Sequence, residues 1–275
     1  MVRSLQPGAV IFSDVGPDIR WVGNEKGIAN ETCWATFDPV GQDGGPPAPG
    51  DIREKESPTG TRNGKHWLPA ECDVSIRPGW FWHDRENAKV KSPEALMDLY
   101  FKSVGRGASF LLNVPPDRRG LIHETDADSL RRFGGMVRST FETNLAARAK
   151  VTASNVRGKA GAYGPEHLLD GDRYSYWSTD DGVTQAEAIL TFEQPQAFNI
   201  VRLREDIRLG QRIDSVALDA WQDGRWREFA QAASIGSCRL IRTAEEIRSP
   251  RLRVRVTKSP VSPALSELAV FRAAV

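Results

Sequence analysis

The sequence predicts two domains of different class, an α/β domain over residues 1–148 and an all-β domain over residues 149–275. Before residue 149, short apolar strands alternate with helical stripes, which is typical of parallel α/β folds. After it, β-type runs recur between turn signals at roughly ten-residue spacing, without a long helical stripe. We therefore expect the C-terminal half of a (β/α) barrel, followed by an antiparallel β-sandwich.

The first strand of the α/β domain ends in a group of polar and aromatic residues. Residues 9–12 are apolar and predict a buried strand over residues 9–14, which breaks before the turn residues Gly16-Pro17-Asp18. Four candidate functional residues follow within six positions: Arg20, Trp21, Asn24 and Glu25. Because (β/α) barrels build active sites at the carboxyl ends of their strands, this segment predicts an active site.

Four further elements complete the predicted α/β domain. Residues 73–77 alternate as a strand and end at Pro78-Gly79, before an aromatic cluster. Ser92-Pro93-Glu94 has the N-cap, the proline and the first-turn acid of a helix start. Residues 109–114 are continuously apolar, as strands of buried parallel sheets are. A capping-box spacing from Thr125 to Asp128 opens a second helix.

Two stretches lack helical periodicity. Residues 26–66 are rich in glycine and proline, and loops of this length are usually functional or disordered. In the second domain, the β-type runs cover residues 188–192, 199–204, 215–221, 226–230, 238–241 and 251–257.

Composition excludes several classes of function. A formal net charge of +1 with interspersed signs argues against a nucleic-acid partner. No apolar run approaches the roughly 18 residues of a membrane span.

Cys33, Cys72 and Cys238 form no disulfide framework or metal motif, so we expect buried thiols, with a Cys33–Cys72 bridge as the alternative. The first residues show no signal peptide, and they resemble the end of a helix before a barrel strand, so we expect the chain to begin within a fold.

The segment 11–25, IFSDVGPDIRWVGNE, resembles the acid/base segment of glycoside hydrolase family 29 α-L-fucosidases, in the branch that prefers 1,3- and 1,4-linked fucose. Residues 69–83 and 107–120 are similar to later barrel segments of that family. Residues 149–272 resemble a coagulation-factor 5/8 type C (discoidin-like) module. Four sequence segments carry this resemblance: HLLDGDRYSYW, LREDIRLGQRI, SIGSCRLI and LSELAVF. The resemblance implies a secreted or periplasmic exo-fucosidase that acts on fucosylated oligosaccharides or glycoconjugates without a catalytic cofactor.

The family reaction uses two carboxyl groups, and the resemblance assigns one of them. Glu25 matches the glutamate of the family's Gly-Asn-Glu motif and inherits the acid/base role, with Glu31 as the fallback. The family nucleophile is an aspartate in an upstream Trp-Phe-Asp-Gly-type strand end, which residues 1–8 do not contain. The family pattern gives Asp14 and Asp18 structural roles. We therefore expect a fragment that is inactive alone, completed in a full-length enzyme or by a separately encoded N-terminal barrel half.

Other residues are candidates for substrate binding, each with a structural alternative. Arg20 and Trp21 lie beside Glu25 in the sequence and offer a cationic donor and an aromatic face that could bind a sugar. The structural alternative is that they pack the loop. Glu71, Asp73 and Arg77 could form hydrogen bonds with hydroxyls of the aglycone sugar next to fucose. The structural alternative is an internal salt-bridge network. The last candidates are three aromatic side chains, which could contact the fucose methyl group or stack on a sugar ring, or could instead pack in the core: Trp80, Trp82 and His83. For Asn113, turn capping is the favoured interpretation.

In the second domain, the resemblance implies a structural calcium ion. Asp170 and Asp172, with Ser178 or Thr179, and Glu267 match the calcium positions of discoidin-like modules, and hard oxygen ligands suit calcium. A turn alone also explains Asp170-Gly171-Asp172. Trp177 is expected in the core. The alternative function is a non-catalytic glycan-binding or adhesion protein that uses this module.

Overall fold

The computed structural model describes residues 1–47 and 56–273, so part of the predicted loop 26–66 lies outside the described residues. The chain divides into two compact units, Met1–Phe133 and Gly134–Val275. This division falls inside a helix, and the predicted domain boundary at residue 148 stays a prediction. The helices are α1 (Val2–Leu5), α2 (Pro93–Lys102) and α3 (Glu124–Phe141).

The first unit is built on a parallel sheet. Its strands are β1 (Phe12–Ser13), β2 (Ile19–Trp21), β3 (Thr36–Phe37), β4 (His66–Trp67), β5 (Ala70–Ser75) and β6 (Ser109–Asn113). Four of them form a sheet in the order β1-β2-β5-β6, and every pair in it is parallel. Strands β3 and β4 form a separate antiparallel pair. The carboxyl ends of the four parallel strands therefore lie along one edge.

The two faces of the parallel sheet differ in chemistry. On one face, Val74 packs with Leu96 and Leu99 of α2, and with Leu130 and Phe133 of α3. On the other face the register sets Trp21 beside Glu71, and Asp73 beside Leu111. Side chains alternate along a strand, so Val74 lies on the face that the helices cover, whereas Trp21, Glu71 and Asp73 lie on the other face.

The helix start at Ser92 is confirmed, because its hydroxyl accepts from the Ala95 N–H at 3.2 Å. The prediction of a buried strand over residues 9–14 is wrong. Only Phe12–Ser13 is a strand, and Val10 and Phe12 are 69% and 41% exposed. The physical reason is position: among the described residues β1 pairs only with β2, at the edge of the sheet.

The second unit is one antiparallel sheet around an apolar core. Its strands are β7 (Lys150–Ala153), β8 (Trp177–Ser178), β9 (Ala186–Glu205), β10 (Ser215–Gln222), β11 (Arg225–Ala233), β12 (Arg239–Lys258) and β13 (Ala264–Phe271). The order is β11-β10-β12-β9-β13-β8, and β7 also pairs with β9. Trp177 is fully buried in the core, as expected. The sequence predicted two strands within β9 and two within β12, because the irregularities inside these strands resemble turns.

Short 3-10 helices connect several of these elements, at Asp84–Lys89, Val104–Arg106, Arg157–Lys159, Gly161–Tyr163, Pro165–Leu168 and Ile207–Leu209. The three cysteines are free and buried, without a Cys33–Cys72 bridge. Within the described residues, the longest apolar helical stretch is still too short or too polar to cross a membrane.

Candidate active site

Glu25 lies on a tight turn that leaves β2 at the carboxyl edge of the parallel sheet. The Asn24 side chain closes this turn, since its Nδ2 donates to the Ile28 carbonyl at 3.0 Å and its Oδ1 accepts from the Lys26 N–H at 3.1 Å. Gly27 has a φ of +73°, and a Cβ there would lie 2.7 Å from Cγ1 of Val74. The turn therefore packs closely on β5 while the Glu25 side chain stays exposed to solvent.

Two indole groups each bind one carboxylate at this edge. The Nε1–H of Trp80 donates to Oε2 of Glu25 at 2.9 Å, and the Nε1–H of Trp21 donates to Oδ1 of Asp73 at 2.6 Å. Burial raises the pKa of Asp73, the bond from Trp21 opposes that rise, and the negative charge of Glu25 adds to it. The negative charge of Glu25 thus acts on Asp73, and neighbouring carboxyl groups of this kind occur in sites that perform acid/base chemistry.

Glu71 lies on the same face of the sheet and accepts from the hydroxyl of Ser109 at 3.1 Å. Glu71 and Asp73 therefore bond to Ser109 and Trp21 rather than to Arg77. No sequence pattern indicates a role for Ser75, whose hydroxyl accepts from the Asn113 side chain at 3.0 Å. The signal that could have found it is its position, because Ser75 and Asn113 are the paired last residues of β5 and β6.

The structure places Arg20 on the opposite face of the sheet from Trp21, away from Glu25. Arg20 is fully buried. Its guanidinium donates to the carbonyls of Ser57 at 3.0 Å, Trp34 at 2.9 Å, and Leu68. Burial lowers the pKa of Arg20. Arg20 therefore stabilises the loops whose carbonyls it binds, and its donors do not point toward the site.

Arg77 is also buried, and it forms an internal network. Its Nε donates to Asp126 of α3 at 2.9 Å, and its terminal nitrogens donate to the His83 carbonyl at 3.2 Å and the Asn87 side chain at 3.0 Å. The Trp82 ring is half-buried with its centroid 6.0 Å from that of the His123 ring, whereas the His83 side chain is exposed. This network fixes the loop after β5 and does not reach Glu25.

The remaining carboxylates near the first strand serve the fold. Asp18 accepts from the Ile11 N–H at 2.7 Å and pairs with Arg3, and these two bonds lower the pKa of Asp18 despite some burial. Asp14 accepts from the Ser13 hydroxyl at 3.2 Å. Glu31 is exposed and lies 3.8 Å from a guanidinium nitrogen of Arg106. Glu25 is therefore the acid that the structure joins to Trp80 and whose negative charge acts on Asp73.

Comparison with known proteins identifies α-L-fucosidases as similar to this chain. A model of the α-L-fucosidase family matches residues 38–140. Alpha-L-fucosidase 1 of Arabidopsis thaliana is 39% identical over 98% of this chain and 53% of its own length. The chain is therefore similar to α-L-fucosidases over nearly its whole length.

Solved structures of the fucosidase family extend the similarity to three dimensions. A provisionally assigned α-L-fucosidase from Bacteroides thetaiotaomicron is 36% identical with a TM-score of 0.89, over 99% of this chain and 60% of that one. A family 29 fucosidase of Ruminococcus gnavus, solved in complex with fucose, is 32% identical with a TM-score of 0.85, over 96% of this chain and 53% of that one. The chain spans about half the length of the curated fucosidases it matches, 53% and 51%.

The side chains expected to bind calcium take part in other contacts in this structure. Glu267 accepts from Arg202 at 2.7 and 3.0 Å and lies 3.1 Å from Arg204, so two cations already neutralise it. Asp170 accepts from His167, Ser175 and the Asp172 N–H, and Asp172 caps the same turn. The Thr179 hydroxyl donates to the Val183 carbonyl at 2.6 Å. Over residues 1–47 and 56–273, no three His, Cys, Asp or Glu side chains form a group that could hold a metal ion.

Proposed function

We propose that this chain supplies the acid/base part of the active site of a retaining α-L-fucosidase. The observation that carries the proposal is the position of Glu25 at the carboxyl edge of the parallel sheet, bonded to Trp80 and with its negative charge acting on Asp73. The similarity to fucosidases over nearly the whole chain supports the substrate class.

In such a reaction a nucleophilic carboxylate attacks the anomeric carbon while Glu25 protonates the departing glycosidic oxygen. Glu25 then removes a proton from a water molecule whose oxygen attacks the anomeric carbon. This attack breaks the bond to the nucleophilic carboxylate and releases fucose. Asp14 and Asp18 are occupied by hydrogen bonds. Since the chain spans about half of its curated relatives, we place the nucleophile in additional sequence, within a longer protein or a separately encoded barrel half.

The proposal extends to the rest of the molecule. The parallel sheet would form part of a closed (β/α) barrel, and the antiparallel sheet would be a discoidin-like module that binds glycans. The resemblance of residues 11–25 to the branch that prefers 1,3- and 1,4-linked fucose supports branched fucosylated glycans as substrates. The family resemblance supports a secreted or periplasmic location.

The test uses the complete gene product that contains residues 1–275, with 4-nitrophenyl α-L-fucoside and a branched fucosylated trisaccharide as substrates. Glu25→Gln should lower kcat/KM on the trisaccharide by about 10²- to 10⁴-fold, the usual contribution of a general acid/base. Glu31→Gln is the matched control and should retain activity.

A rescue experiment distinguishes the acid/base from a nucleophile. Azide needs no general base, so it should accelerate Glu25→Ala on the aryl fucoside and yield a fucosyl azide of retained configuration. Retained trisaccharide activity in Glu25→Gln would remove Glu25 from the mechanism. Wild-type protein inactive on both substrates, but bound to a glycan array, would favour the non-catalytic alternative.

A further inference from the structure

The loop that carries Trp80 is tied to the sheet on both sides. Asn113, the last residue of β6, donates through Nδ2 to the Trp80 carbonyl at 3.0 Å and to the Ser75 hydroxyl at 3.0 Å. That hydroxyl in turn donates to the Gly79 carbonyl at 2.7 Å. The turn at residues 78–80 therefore cannot move without breaking contacts to β5 and β6.

The fixed loop directs the indole of Trp80 at a single acceptor. The side chain is 36% exposed, so the core does not determine its orientation. Its Nε1–H could have been satisfied by water, yet it donates to Oε2 of Glu25 at 2.9 Å. A hydrogen bond that spans 55 positions between an exposed indole and a candidate proton donor indicates a role in the reaction.

We propose that Trp80 is a positioning residue for the proton donor Glu25, and that Asn113 holds Trp80 in place. The inference rests on the proposed function of Glu25. Because Oε2 accepts the indole N–H, the transferable proton of protonated Glu25 is carried on Oε1. The bond thus selects which oxygen of Glu25 delivers the proton to the glycosidic oxygen.

The same bond also favours the transfer itself. As the proton moves from Oε1 to the departing oxygen, Glu25 becomes a carboxylate, and the hydrogen bond from Trp80 becomes charge-assisted. Charge-assisted bonds are roughly twice as strong as neutral ones. An interaction that strengthens as the reaction proceeds lowers the barrier rather than merely binding the substrate. Its benefit should be largest where the departing group most needs a proton.

The kinetic test compares departing groups in the complete gene product. Trp80→Phe keeps a ring and removes the donor, and Asn113→Asp is nearly isosteric but replaces the donor with an acceptor. Both should lower kcat on the fucosylated trisaccharide by about 10- to 100-fold, the effect of one hydrogen bond to a charged group. On 2-chloro-4-nitrophenyl α-L-fucoside, whose phenolate needs little protonation, the loss should be under about threefold. Trp67→Phe, at an exposed tryptophan of β4, is the control.

A second measurement does not depend on turnover. In protein labelled with ¹⁵N-tryptophan, the indole resonance of Trp80, assigned by its loss in Trp80→Phe, should shift in Glu25→Gln and Asn113→Asp but not in Trp67→Phe. Equal losses on both substrates, or an indole resonance unaffected by Glu25→Gln, would overturn the proposal. Wild-type protein inactive on both substrates would instead count against the proposed function, and the resonance would still decide whether Trp80 bonds to Glu25.

Discussion

At the scale of single residues, the buried ion pair of Arg77 and Asp126 fixes the loop beside the candidate site. Both side chains are completely buried and their charged atoms are 2.9 Å apart. Arg77 also donates to the His83 carbonyl and to Asn87. A lysine has its three donors on a single nitrogen, so it could not reach the three separated acceptors that Arg77 contacts with three nitrogens of its planar guanidinium.

We expect Arg77→Met to lower the free energy of unfolding by about 3–5 kcal/mol, since it leaves the Asp126 charge buried without a partner. Urea denaturation measures this change, and Arg85→Met, at an exposed arginine, is the control. Arg77→Met combined with Asp126→Leu should recover part of the loss. A variant as stable as the wild type that instead raises KM would identify Arg77 as a substrate contact.

The same scale shows what the sequence can and cannot predict about the site. Glu25 was predictable because a strand end and a recognisable motif coincide within a few residues. Arg20 and Trp21 are adjacent in sequence, which suggested a shared site, but successive side chains of β2 point to opposite faces. The bond from Trp80 to Glu25 could not be predicted, because it depends on the order of β2 and β5 in the sheet.

At the scale of elements, a charged network joins neighbouring strands of the second unit. Asp219 of β10 is 3% exposed and accepts from Arg253 of β12 at 3.0 Å and from Arg255 at 2.7 Å. Burial alone would raise the pKa of Asp219, but the bonds from Arg255 and Arg253 outweigh it and lower that pKa. The ionised form of Asp219 is therefore the one that stabilises the sheet.

A lowered pKa determines how stability should change with pH. The contribution of Asp219 is complete above its unfolded pKa of about 3.9, and it is lost as the pH falls through the lower folded pKa. We expect the wild-type free energy of unfolding to decrease below about pH 4, and Asp219→Asn to decrease less steeply. Urea denaturation between about pH 2 and 7 measures this, with the exposed Asp223→Asn as control. Parallel pH profiles of wild type and Asp219→Asn would contradict this origin of the slope.

Element types were easier to predict than element limits. The start of α2 followed from its N-cap serine and proline, which are local signals. The interruptions inside β9 and β12 resembled turns, because irregular pairing and true chain reversal use similar residues. In the structure, β9 and β12 pair with each other on both sides of each irregularity. This pairing shows that β9 and β12 are each one continuous strand.

At the scale of the whole molecule, the parallel sheet of the first unit ends in two exposed strands. Among the described residues, β1 and β6 each have one neighbour in the sheet. Phe12 on β1 and Leu111 on β6 are 41% and 48% exposed. Parallel sheets are normally covered, and an unpaired strand with apolar side chains is a template for association.

We therefore expect the isolated 275-residue chain to self-associate, with a sedimentation coefficient that rises with protein concentration. Leu111→Lys should shift the chain toward the monomer, because a charge on the edge strand must be desolvated when another strand docks there. Val261→Lys alters an equally exposed apolar residue of the second unit and should leave association unchanged. Equal association of Leu111→Lys and the wild type would show that β6 is not the associating edge, and a concentration-independent wild type would show that this edge does not drive association at all.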